Sequence, residues 1–258
     1  SSVLTSIVPS NPILAMADGE MLQIILFAII LGIAITITGS KAESFKKGII
    51  SLNEIMMSMV TIIMKFAPLG VFCLIAKTFA TQGIDMIIPL ASYFFTVTIV
   101  LILHVLLTYS AFLKLIGKVS PFVFLKKMRT AIVFAFSTAS SNATIPVTLN
   151  TVEKRLGVDK SVASFTVPLG ATINMDGTAI MQGVATVFIA SVYMVDLTIG
   201  DYLTVVLTAT LASIGTAGVP GVGLIMLTMV LTQVGLPVEG VALIIGIDRL
   251  LDMMRTAV

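Results

Sequence analysis

Charge is scarce in this chain: Asp, Glu, Lys and Arg make up only 11% of its 258 residues, while 57% are hydrophobic. Soluble domains are roughly 25% charged and 45–50% apolar, so the composition is that of a polytopic membrane protein. Cysteine is nearly absent. The single Cys73 excludes an intramolecular disulfide and any cysteine-based metal cluster, and it is expected to be a small buried hydrophobe. Histidine is reduced to His104, in the apolar run TVTIVLILHVLLTY, where helix packing is expected ahead of a proton-relay role. No basic patch interleaved with aromatics is present, which excludes nucleic acid as a partner. The start, SSVLTSIVPS, lacks a charged region ahead of an apolar one and is no signal peptide. The end, IIGIDRLLDMMRTAV, stops inside an apolar helical pattern, so the chain reads as an internal piece of a longer protein.

A spanning helix needs about 20 apolar residues. MLQIILFAIILGIAITITG, from Met21, meets that length, and Lys41, Lys46 and Lys47 follow it. A second span starts at Ile49, with a bend allowed at Pro68 and Gly70. A third, from Ile87, ends at Lys114 and Lys118, followed by Lys126, Lys127 and Arg129. Basic clusters mark the cytoplasm, which puts 41–47 and 114–129 inside and the connector with Asp85 outside.

The next basic group, Lys154 to Lys160, is also expected inside, so the segment before it must enter and return on one side. Its polar centre, Ser137, Thr138, Ser140, Ser141, Asn142 and Thr144, lies between two short apolar arms and reads as a re-entrant helical hairpin. The pattern recurs after Asp196 and Asp201, where two arms of about 14 residues, too short to span, flank Gly215, Gly218, Pro220, Gly221 and Gly223. This second hairpin is expected to enter from outside. The fold class is therefore an all-α polytopic membrane protein with two oppositely oriented re-entrant hairpins forming an inverted repeat. Such paired interruptions point to a substrate site near the midplane.

Buried polar groups carry the chemistry. GATINMDGTAI places Asn174, Asp176 and Thr178 in an apolar region, with no basic residue near Asp176 in sequence. On the last helix Asp248, Asp252 and Arg255 fall within about 60° of one another, and Arg249 points away. Each such charge costs about 2.5–3.5 kcal/mol at a helix centre, so these four cost on the order of 10 kcal/mol before pairing. Three acids against one Arg leave a surplus of negative charge that bound cations would offset.

NMDGT (Asn174 to Thr178), the tip ASSNATIP, the tip SIGTAGVPGVG and DxxxDxxRT (Asp248 to Thr256) resemble the motifs of the dicarboxylate/amino acid:cation symporter family, which contains the glutamate transporters. The likeness runs through the whole chain and points to a prokaryotic-type member. It implies an elevator-type glutamate transporter fold, in a homotrimer. Residues 1–83, with two membrane helices, would be part of the scaffold and trimerisation domain. Residues 84–258 would be part of the mobile transport domain: a helix, a hairpin at about 121–155, an interrupted helix at about 160–192, a hairpin at about 199–235 and a truncated last helix at 238–258.

The resemblance also implies residue roles. Ser140, Ser141, Thr178, Val219 and Gly223 would line the substrate between the hairpin tips. Asp252 would accept from an ammonium, Arg255 would pair with a side-chain carboxylate, and Thr256 would add a polar contact. Sodium would use carbonyls of Gly170 and Asn174, a second ion Thr172 with Ser213, Ile214 and Thr216, and a third the side chains of Asn174 and Asp176. Ala139 stands where some prokaryotic relatives carry Arg, which leaves Arg255 as the evident cation for a distal carboxylate. The implied function is a secondary active symporter, not an enzyme. It would couple uptake of aspartate, glutamate or a related dicarboxylate to sodium, or protons, across a plasma membrane (the bacterial inner membrane), with no cofactor besides the coupling ion. C4-dicarboxylates or neutral amino acids are alternative substrates. An intramembrane aspartyl protease would explain neither the two hairpins nor Arg255 beside Asp252. An ion channel would not need the buried acids and single Arg of stoichiometric binding.

Overall fold

The computed structural model describes residues 10–18, 21–64, 87–214, 216 and 218–258, with positions 69, 72, 73 and 76. The bend expected at Pro68 and Gly70, the connector at Asp85 and the tip residue Gly215 lie outside them. Two compact units divide the chain, Ser1–Ala80 and Thr81–Val258. Every regular element among the described residues is helical.

The first unit holds α1 (Pro12–Asp18), α2 (Met21–Thr38), a 3-10 turn (Gly39–Ala42) and α3 (Glu43–Met64). Asn11 caps α1, its side chain accepting from the backbone N–H of Ile13 at 3.0 Å. The basic cluster expected to separate two spans does not form an open loop: Lys41 lies in the 3-10 turn, and Lys46 and Lys47 lie in α3. Lys and Glu are good helix formers, and Lys47 pairs with Glu43 at 4.0 Å, one turn apart. The stretch Leu26–Met56 is thereby long and apolar enough to cross a membrane. Cys73 is exposed, not buried as expected. In a chain of this composition exposed apolar surface faces lipid as readily as a protein core, so a small hydrophobe is no guide to burial.

The second unit opens with α4 (Ile87–Leu103), a π-helical turn (His104–Tyr109) and α5 (Ser110–Leu115). Next come α6 (Pro121–Thr138), α7 (Ser141–Thr151) with a π-turn at Val152–Leu156, α8 (Lys160–Ile173) and α9 (Asp176–Val192). The chain closes with α10 (Ile199–Ile214), α11 (Val222–Gln233) and, after a 3-10 turn, α12 (Val241–Ala257). Pro121 starts α6, where its missing N–H costs nothing. Asp159 caps α8, and the hydroxyl and amide of Ser161 hold its carboxyl below the usual carboxylate range. Thr198 and Asp201 exchange hydrogen bonds at the start of α10, a capping box.

The two segments read as hairpins are each a pair of helices packed on one another, α6 with α7 and α10 with α11. The stretches Ile87–Leu115 and Lys160–Val192 are also long and apolar enough to span, whereas α10 and α11 are shorter. The core follows the helical period. Tyr93, Val97 and Leu101 of α4 meet Met181, Ala185 and Ile189 of α9, with Leu227 and Leu231 of α11 and Ile244 and Leu251 of α12. Helix α9 is thus held by α4, α10, α11 and α12, which fixes its N-terminal end beside the polar residues of α12.

Candidate functional site

The hairpin tips meet. After α6, Ala139 turns the chain in the left-handed region, φ 50°, and Ser140 caps α7 by accepting from Ala143 N–H at 3.2 Å. The Ser140 hydroxyl donates to the Gly218 carbonyl at 2.8 Å, and Asn142 N–H donates to the same oxygen at 3.0 Å. A Cβ on Gly218 would lie 2.8 Å from Asn142 Oδ1 and from Ser141 Cβ. Only glycine lets the tips approach this closely.

Arg255 lies beneath the tips, buried with Asp248 and Asp252. Its Nη1 donates to Asp248 Oδ1 at 2.9 Å, and its Nη2 to Asp252 Oδ1 at 2.9 Å and Asp248 Oδ2 at 3.4 Å. Asp252 Oδ2 accepts from the Gly221 N–H in the second tip at 3.1 Å. Room for Arg255 comes from two glycines, one against its backbone and one against its guanidinium. A Cβ on Gly177 would meet the Arg255 backbone and Cβ at 3.0 Å, and one on Gly223 would meet Nη2 at 3.2 Å. Asp248 therefore belongs to the cluster as fully as Asp252, although the family motif assigned it no role. Arg249 is exposed, as its angular position required.

The interruption of α8–α9 spans Asn174 and Met175, both out of helical geometry. Asp176 opens α9 and is not isolated. His104 Nε2 lies 3.0 Å from its Oδ2, and the Tyr109 hydroxyl donates to the same oxygen at 3.1 Å. His104, with packing expected ahead of a proton-relay role, is a polar partner 72 residues away in sequence. With its carboxamide nitrogen turned toward the carboxylate, Asn174 donates to Asp176 Oδ1 at 2.9 Å; with the amide turned the other way the nitrogen donates to the Tyr109 hydroxyl at 3.3 Å. In that second orientation two oxygens face each other across the gap, an arrangement that a proton or a bound cation between them would satisfy.

The other proposed ligands are placed as follows. Thr172 is exposed on the last turn of α8, and Ser213 and Ile214 end α10, with Thr216 just beyond. Helices α8 and α10 touch. The hydroxyls of Ser213 and Thr216 donate to the carbonyls of Thr210 and Ala212, which leaves their lone pairs available. The Gly170 carbonyl accepts from Asn174 N–H at 2.8 Å.

A cavity of about 770 Å³ opens among these elements, with Tyr109, Ser141, Asn174, Thr178, Arg255 and Thr256 on its wall. That volume suits a small solute with its hydration. Ser140, Val219, Gly223 and Asp252 stand in the layer around Arg255 and the tips and are not on that wall. Tyr109 had no sequence signal tied to the site, whereas Asn142 is marked in sequence only as part of the polar first tip. Tyr109 follows His104 by five residues, a spacing that neither helix nor strand periodicity connects.

The fold and the site define a helical membrane protein with an interrupted helix, two paired-helix hairpins and a buried Asp–Arg–Asp cluster beside a largely apolar cavity that carries a few polar groups. The chain belongs to the sodium:dicarboxylate symporter family, whose model matches residues 1–258. It is similar to an excitatory amino acid transporter of Caenorhabditis elegans, 42% identical over 241 residues, 93% of this chain and 48% of that protein. Excitatory amino acid transporter 2 of Homo sapiens is 43% identical over 244 residues, 93% of this chain and 42% of its own length. The proton/sodium-glutamate symport protein of Bacillus caldotenax is 36% identical over 253 residues, 98% of this chain and 60% of its own length. The chain thus spans between 42% and 60% of these three relatives.

Proposed function

We propose that this chain carries the substrate and ion sites of a secondary active symporter that takes up an acidic amino acid, aspartate or glutamate, with sodium or protons. The observation that carries the reading is Arg255, buried between Asp248 and Asp252 directly under the hairpin tips and on the wall of the cavity. A guanidinium offers a planar fork suited to a carboxylate. In the proposed bound state the distal carboxylate of the substrate takes one edge of that fork, and Asp252 turns to accept from the ammonium. Ser140, Ser141 and the backbone N–H groups of the tips hold the α-carboxylate. Thr178 and Thr256 add polar contacts, and Val219 and Gly223 close the wall. The names of the relatives support this substrate class.

The cation step follows from charge. Asp176, Asp248 and Asp252 outnumber Arg255, and hard cations take oxygen ligands from carbonyls, hydroxyls and carboxylates. Gly170, Asn174 and Asp176 at the helix interruption supply such a set, and Thr172 with Ser213, Ile214 and Thr216 supplies another. Closing the tips over substrate without a cation leaves uncompensated negative charge away from water, which couples the two binding events. We further propose that the hairpins are re-entrant from opposite faces of a plasma membrane. Residues 84–258 move as an elevator against a scaffold that includes residues 1–83, in a homotrimer.

The test is uptake of labelled aspartate into liposomes by the full-length protein, with a sodium gradient, a proton gradient or neither. Concentrative uptake under one imposed gradient is the expected outcome. Uptake that never exceeds equilibration under any gradient would refute coupled transport.

A further inference from the structure

The turn His104–Tyr109 is π-helical, and Ser110 Oγ donates five residues back to the Val105 carbonyl at 3.2 Å. In an α-helix residues five apart diverge by about 140°, too far for both to reach one atom. The wider turn brings the two rings to one face, with centroids 4.6 Å apart and planes at 66°. Both end on the same oxygen, Oδ2 of Asp176, at 3.0 and 3.1 Å. The other oxygen, Oδ1, faces the Asn174 carboxamide at 2.9 Å, the shorter of that group's two approaches to the carboxylate (3.3 Å to Oδ2). Tyr109 and Asn174 also lie on the wall of the cavity, so this group is open to an arriving ion. Single π-turns inside α-helices recur at functional sites because they re-aim side chains at the cost of helix regularity.

We infer that Tyr109 is a positioning residue for the cation step, held in place by this π-turn. With His104 it pins Oδ2, so that Asp176 keeps one defined oxygen, Oδ1, for the ion. The Asn174 carboxamide meanwhile exchanges its nitrogen for its oxygen as the ion enters. Without the tyrosine hydroxyl Oδ2 keeps His104 as its one short donor, the carboxylate turns more freely about its own bond, and the ion must then pay for its ordering. This inference rests on the reading of Asp176 as a cation ligand.

The experiment uses the full-length protein with Tyr109→Phe, Asp176→Asn and the double variant. Sodium titrations are followed by the rise in thermal unfolding temperature without substrate, and by the sodium concentration for half-maximal aspartate uptake. Hydrogen bonds to charged groups are among the stronger ones, so Tyr109→Phe is expected to raise the half-effective sodium concentration about tenfold. Its unfolding temperature in sodium-free choline buffer should stay within about 2 °C of the parent, which a merely structural role would not predict. In the Asp176→Asn background the same change should have no further effect on sodium. His104→Leu, which removes the other donor to Oδ2, provides a second variant and should shift sodium in the same direction. A shift below twofold in either folded variant, or a tyrosine effect that persists with Asp176→Asn, would overturn the inference. Unaltered sodium dependence in Asp176→Asn itself would instead remove the reading on which it rests.

Discussion

At the scale of single residues, Arg255 decides what the site prefers. It is 5% exposed and makes three hydrogen bonds to two carboxylates. In the proposed bound state it gives up part of that set to a substrate carboxylate. Arg255→Ala should therefore lose aspartate and glutamate while retaining or gaining small neutral amino acids such as serine. Removing one partner of a buried charge group costs about 3–5 kcal/mol, or a loss of roughly a hundredfold or more in affinity for the acids. Competition of each amino acid against labelled substrate in the full-length protein measures this. Near-original aspartate affinity in the variant would exclude the assignment. Asp248 makes the same point from the other side: DxxxDxxR is visible in sequence, but that Asp248 grips Nη1 depends on how the side chains fold over two helical turns.

At the scale of elements, the hydrogen bonds between the tips among the described residues converge on the Gly218 carbonyl, which serves both Ser140 and Asn142. The second tip is the proposed outer gate. In a chain lacking Cys73, a cysteine at Val219 should react with a membrane-impermeant thiol reagent added outside, and sodium with aspartate should protect it. Adding Gly218→Ala, whose Cβ would clash with Asn142 and Ser141 at 2.8 Å, should weaken that protection. Labelling only from the cytoplasmic side would reverse the proposed orientation. The element order was legible because polar interruptions in apolar runs leave local marks: Asn174–Met175 between α8 and α9, and the serine and glycine tips. The π-turn at His104–Tyr109 left none, because its residues read as uninterrupted helix and its purpose lies on another segment.

At the scale of the molecule, the first unit carries long apolar faces. Ile29, Ile30, Ile33 and Ile37 of α2 and Ile55, Met56 and Met59 of α3 are all exposed. Lipid covers some of such a surface, and in the proposed scaffold neighbouring copies cover the rest. The full-length protein released from native membranes in mild detergent should therefore have the mass of three chains. A monomeric mass across detergents, with uptake intact after reconstitution, would remove the homotrimer from the proposal.

Composition and periodicity by themselves determined that this is a helical membrane chain, where the two hairpin tips fall, and which residues are too polar to be filler. Each of those properties is set by neighbours within a turn or two, so a linear string carries it. Tertiary structure alone decided which polar groups face each other. His104 and Tyr109 reach Asp176 across 72 and 67 residues, and Gly218 reaches Ser140 across 78. Gly177 makes room for the backbone of Arg255, on another helix, and Gly223 for its guanidinium. Those pairings depend on how α4, α9 and α12 pack and on one widened turn, and no local pattern of residue types records either.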